Sequence, residues 1–108
     1  MADSIYAYLY PEAAQTDNDY FKNYFSEYPW ARKLDHEDGK DVLFVWIKPR
    51  LSEKGLTRFI PFMDALRDIK HLVHKIVPDD TLEGDKLEQN MIDNGYSDLV
   101  DLVVRRND

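Results

Sequence analysis

The sequence predicts a single α+β domain over residues 1–108, and three observations lead there. Residues 4–10 ("SIYAYLY") and 41–48 ("DVLFVWIK") alternate their side chains with a period of two, as strands do. Residues 16–28 and 61–76 repeat apolar side chains every three to four positions, as amphipathic helices do. The elements then run strand, helix, strand, strand, helix, short helix, strand.

Each element has a local reason. In the first strand Ile5, Ala7 and Leu9 share one face and Tyr6, Tyr8 and Tyr10 the other, and Pro11 ends it because proline cannot donate to a ladder. Thr16 is the expected N-cap of the first helix, with Asp17 and Asp19 in its first turn. Tyr20, Phe21, Tyr24, Phe25 and Tyr28 form its apolar stripe, and Pro29 stops it. A short strand over 30–35 leads to Asp38-Gly39, a strong signal for a tight hairpin turn. The strand over 41–48 again divides its faces, with Leu43, Val45 and Ile47 against Val42, Phe44 and Trp46. "SEKGLTR" reads as a connector. Pro61 opens the second helix, whose face is Phe62, Ala65, Leu66, Ile69, Leu72, Val73 and Ile76. Pro78 closes it. Asp80 and Glu83 have capping-box spacing for a helix within 81–94, stopped by Gly95. Residues 97–106 favour a strand through their valines, although their spacing also fits a helix.

Without the short helix the order is βαββαβ, which resembles the ferredoxin-like architecture. The residues carry no signature of a particular protein family. That architecture implies that the first and third strands lie side by side at the sheet centre. Both helices then cover one face, and the extra short helix precedes the last strand. Ile5, Ala7, Leu9, Leu43, Val45 and Ile47 would face the helices. Tyr6, Tyr8, Tyr10, Phe44 and Trp46 would gather on the opposite face.

Composition narrows the function classes. The chain has 44% hydrophobic residues, enough for a core at this length. It has no cysteine, so disulfides, thiolate metal sites and cysteine nucleophiles are excluded. No signal-peptide pattern opens the chain and no apolar run approaches the ~20 residues that span a bilayer, so a cytoplasmic protein is expected. The net charge is −7 and unevenly placed: −5 over residues 1–39, +4 over 40–75 and −6 over 76–108. Such acidity argues against nucleic acid as a partner; a solvated surface is its simplest account, and complementarity with a basic partner is the sharper alternative.

A large aromatic patch on a sheet face calls for a cover. Four covers compete. The extra helix, through Leu82, Leu87, Met91 and Ile92, or the C-terminal tail could fold across it. A second copy could pack sheet to sheet. A different protein could use the rings as anchors. Single-stranded nucleic acid could stack on them, with Lys48, Arg50, Lys54 and Arg58 meeting phosphates. The glycine-aromatic signature of RNA-recognition strands is missing.

Motifs for chemistry are sparse. His71 and His74 are three apart on the expected helix, but no Glu or Cys completes a metal signature, and Arg67, Lys70 and Lys75 surround them. "DHEDG" over 35–39 lacks the calcium-loop spacing and reads as a turn. Phosphate-cradling glycine loops and nucleophile elbows are absent, so no cofactor and no metal are expected. The expected function is therefore a non-catalytic protein-interaction module, a regulator, adaptor or inhibitor. It would bind another protein, or itself as a homodimer, through Tyr6, Tyr8, Tyr10, Phe44 and Trp46, flanked by acidic surface. Two alternatives stay open. One is an acidic inhibitor that mimics nucleic acid and blocks a basic nucleic-acid-binding enzyme. The other is a small dimeric enzyme with a pocket between sheet and helices, using His36, His71 and Tyr8.

Overall fold

The computed structural model describes residues 5–47, 50–52, 55–57, 59–78 and 84–104. The chain begins with β1 (Ile5–Leu9), a 3-10 turn (Pro11–Gln15) and α1 (Asp19–Glu27). A second 3-10 turn (Pro29–Arg32) leads to β2 (Asp35–Glu37) and β3 (Lys40–Ile47). A separate two-stranded sheet, β4 (Arg50–Ser52) with β5 (Gly55–Thr57), precedes α2 (Phe59–Asp68). A 3-10 turn (Lys70–Leu72), β6 (Val73–Pro78), α3 (Gly84–Asp93) and a last 3-10 segment (Ser97–Leu102) complete the order. The result is α+β: a four-stranded sheet, β2-β3-β1-β6, antiparallel at every pairing, with helices packed on it.

The main core lies between the sheet and the helices. Ile5, Ala7, Leu9, Leu43, Val45 and Ile47 from the sheet meet Phe21 and Phe25 of α1 and Phe62, Met63 and Leu66 of α2. Burying one such side chain completely stabilises the fold by about 1.5–3 kcal/mol. The hairpin between β2 and β3 turns on Asp38 (φ 56°) and Gly39 (φ 77°), the two positive-φ positions that a tight primed turn needs.

Several elements differ from the sequence reading. The second helix does not run to Ile76. It ends at Asp68, and Val73–Pro78 is the fourth strand of the sheet. A β-bulge explains the misreading. Leu9 pairs with Val73 and Tyr8 with Lys75, so β6 carries one extra residue, His74. Val73 and Ile76 therefore reach the same core face at a spacing of three, which imitates a helix. Of the expected strand over 97–106, the described residues 97–104 do not form the last strand, and residues 105 and 106 lie outside the described residues. Ser97–Leu102 coil as a 3-10 segment, and Val103 contributes only an isolated bridge to Ile76. The extra short helix, α3, thus follows the last strand of the sheet instead of preceding it.

Smaller corrections have local causes. Residues 30–35 were expected as a strand, but Pro29 opens a 3-10 turn and pairing begins only at Asp35. The expected connector "SEKGLTR" overlaps the β4–β5 hairpin. Asn18, not Thr16, caps α1, accepting from the Phe21 N–H at 3.2 Å, while Thr16 Oγ1 accepts from the Asn18 N–H. Gly95 does stop α3. It adopts φ 87°, with Gly95 N–H donating to the Ile92 carbonyl and Tyr96 N–H to that of Met91, a Schellman closure. An alanine there would be held at positive φ. Gly95→Ala is expected to lower unfolding stability by about 1 kcal/mol. A urea midpoint identical to wild type would contradict this account.

Candidate functional site

Antiparallel register sets the second face of the sheet. Tyr6 pairs with Trp46 and Tyr8 with Phe44, so their rings share the side away from the main core. The rings touch in a row: Tyr6 to Phe44 at 5.2 Å between centroids, Tyr8 to Phe44 at 5.4 Å, and Phe44 stacked on Trp46 at 5.6 Å. Val42 and Val77 complete a small second cluster with Tyr8, which keeps only 8% of its surface exposed. Tyr6, Tyr10, Phe44 and Trp46 are half-buried. Of the five rings, Tyr8 is thus a packing residue, while the other four retain accessible surface.

The face has a closed end and an open end. At the closed end, the β2–β3 turn reaches across the sheet to β6. Lys75 Nζ donates to Glu37 Oε1 at 2.8 Å and to Asp38 Oδ2 at 3.1 Å, and sits 5.3 Å above the Tyr8 ring. His74, the bulge residue, lies 3.0 Å through Nε2 from Asp38 Oδ2 and 3.3 Å through Nδ1 from the Tyr10 hydroxyl. A proton on Nε2 lets that nitrogen donate to the carboxylate while Nδ1 accepts from Tyr10. Lys75 and His74 keep only 13% and 14% of their side-chain surface. The hydrogen bond from His74, then that from Lys75, holds the Asp38 carboxyl below the usual carboxylate range.

At the open end, β3 overhangs β2, which pairs only with residues 40–42. Tyr24 of α1 covers part of this bare edge, its hydroxyl accepting from the Trp46 N–H at 3.2 Å. Burial pushes the Tyr24 phenol above its ordinary pKa, and the Trp46 amide partly offsets this. Beside it the Pro29–Arg32 turn leaves Trp30 62% and Leu34 53% exposed. Trp30, Leu34, Asp35, Phe44 and Trp46, with Lys33 and Ala31, line a groove of about 270 Å³. Trp30 and Leu34 were not among the expected site residues. A strand over 30–35, as the sequence predicts it, hides the place of Trp30 on a turn beside the sheet edge.

The other candidates are dispersed. His36 is exposed on edge strand β2 and pairs with Asp41 at 3.0 Å, while His71 is exposed in the turn before the opposite edge strand. They do not share a site with Tyr8. His71 and His74 do not share a helix face either, because His74 belongs to β6. Among the described residues no group of three His, Cys, Asp or Glu could hold a metal ion, and no helix is long and apolar enough to cross a membrane. Among the described residues, the acidic C-terminal region packs against the main core and not in the aromatic cluster. Met91, Tyr96 and Leu99 anchor α3 and the last 3-10 segment in the main core, and Ile92 is exposed. Neither Met91 nor Ile92 belongs to the aromatic cluster; Leu82 and the Leu87 side chain lie outside what is described. Lys48, Lys54, Arg58 and the Arg50 side chain, invoked for phosphate contact, also lie outside what is described. An open acidic cleft of about 910 Å³, lined by Asp17, Asp19, Asp64 and Asp68, lies on the helix layer.

No protein family, curated protein or solved structure matches the chain.

The Asp38 cluster has a pH signature. A carboxyl held below its unfolded value stabilises the fold at neutral pH, and the contribution fades as pH falls below about the ordinary 3.8. Wild type should therefore exceed Asp38→Asn in stability at pH 7, the gap closing on acidification. A gap constant from pH 7 to 3 in denaturant titrations would refute the assignment.

Proposed function

We propose that the protein is a non-catalytic protein-interaction module that binds through the open end of its aromatic face. The observation that carries this reading is the groove between the Pro29–Arg32 turn and β3, where two tryptophans, a phenylalanine and a leucine come together at the surface. Exposed Trp is costly in an isolated protein and is the residue most enriched where interfaces hold their binding energy. The working residues on this reading are Trp30, Leu34, Phe44 and Trp46, with Tyr6 and Tyr10 at the margins; Tyr8 supports them from below. The groove is smaller than the ~300–1,000 Å³ typical of small-molecule sites, which favours a partner's side chain over a metabolite. A ferredoxin-like assignment of the frame is supported by β1 lying between β3 and β6, with α1 and α2 on one face.

Stability and binding should separate along the face. Tyr8→Ala removes a buried ring and is expected to cost roughly 3–5 kcal/mol of stability. Trp30→Ala removes an exposed one and should change stability by no more than about 0.5 kcal/mol, while reducing capture of the physiological partner at least about tenfold. Thermal melts and affinity capture from the native host, run on both variants, check this. Undiminished capture by Trp30→Ala would end the proposal. Sedimentation over a wide concentration range distinguishes a second copy from a different protein as the partner.

A further inference from the structure

We infer that the groove receives a cationic side chain, an arginine or lysine presented by a basic protein partner. The inference rests on the interaction-module reading and gives its site a chemistry. The lining is aromatic: Phe44 and Trp46, stacked on each other with planes 28° apart, and Trp30 on the neighbouring turn. Aromatic rings attract cations through the ring quadrupole, most strongly at tryptophan. Asp35 lines the same groove, with Oδ1 accepting from the His36 N–H at 2.8 Å.

The molecule uses the same combination within itself. Arg67 lies 4.7 Å from the Tyr96 ring centre and pairs with Asp64 at 3.2 Å. Lys75 lies 5.3 Å above Tyr8 and pairs with Glu37 and Asp38. In both, a cation sits on an aromatic ring with a carboxylate alongside. The groove supplies rings and a carboxylate, and the cation comes from the partner. The net charge of −7 draws a basic surface toward the protein, which raises the encounter rate. Lys33 also lines the groove and works against a cation, so the two charged lining residues should act with opposite sign.

The test uses the protein's own fluorescence. The chain has two tryptophans, Trp30 and Trp46, and both line the groove. Tryptophan emission thus reports this site alone. Three short peptides of glycine, each with one central residue, are titrated at low salt: arginine, its neutral isostere citrulline, and leucine. The arginine peptide should change the emission saturably and bind about 3- to 10-fold more tightly than the citrulline peptide. Asp35→Asn should weaken arginine binding and Lys33→Gln should strengthen it, each by roughly 2- to 5-fold, with both effects shrinking as salt is raised. Equal binding of arginine and citrulline, or insensitivity to both substitutions, overturns the inference. Tightest binding by the leucine peptide also overturns it, yet leaves the groove standing as an apolar interaction site. Silence of the emission toward all three peptides removes the cation inference, and the interaction-module reading is then judged separately by capture with Trp30→Ala.

Discussion

The structure depends on β1 being paired on both edges. Its register against β3 and β6 fixes which side chains enter the main core and which form the aromatic row. A shift of one residue in either pairing would turn Ile5, Ala7 and Leu9 out of the core and the tyrosines into it. The strand has little freedom to shift. Ala7 and Leu9 have no exposed surface, and Tyr8 is sealed on the other side by Val42, Val77 and the Lys75 ammonium above its ring. A strand apolar on both faces needs a neighbour on both faces, and here the second neighbour is divided.

That division follows from two irregularities at the sheet margins. On β6 the bulge inserts His74, so that His74 and Lys75 both meet carboxylates of the β2–β3 turn. Asp38 reaches them because a primed turn holds its backbone at φ 56°, a conformation that Asp tolerates better than most residues. The turn is thereby tied across three strands to the far edge, and one half of the aromatic face is closed by polar groups that satisfy one another. On the opposite margin β2 stops at three residues, and β3 continues without it. The rings of Phe44 and Trp46 lie along that overhang.

Much of this was legible in the sequence where one period dominated. The alternation in "SIYAYLY" and "DVLFVWIK" places eleven strand residues on the faces they occupy, and Asp38-Gly39 locates the hairpin turn. The second half was harder because its signals were ambiguous. Val73 and Ile76 sit on one face at helical spacing only because a bulge separates them, and a bulge leaves no mark in a hydrophobic pattern. The valines of residues 97–104 suit a strand, but β6 takes the edge of β1 expected for it, and these residues reach the sheet only through the bridge of Val103 to Ile76. Trp30 is ambiguous in the sequence for a related reason. A proline-led 3-10 turn and a short strand share the same residue types, and only the tertiary frame decides between them.

The groove itself follows from chain economy around Pro29. After α1 the chain must return along the outer edge of β3, and an early strand there would have paired with residues 43–47 and closed the edge completely. Pro29 instead commits residues 29–32 to a 3-10 turn. Its buried Ala31 packs inward while Trp30 is left outside. The bare edge is then screened by side chains rather than by a strand: Tyr24 takes the Trp46 amide, and Tyr28 packs edge-on against Trp30 at 5.4 Å. Screening an edge with rings avoids open-ended strand pairing, but it leaves aromatic side chains, Trp30 above all, at the surface. The charged residues beside those rings are Lys33 and Asp35, one of each sign.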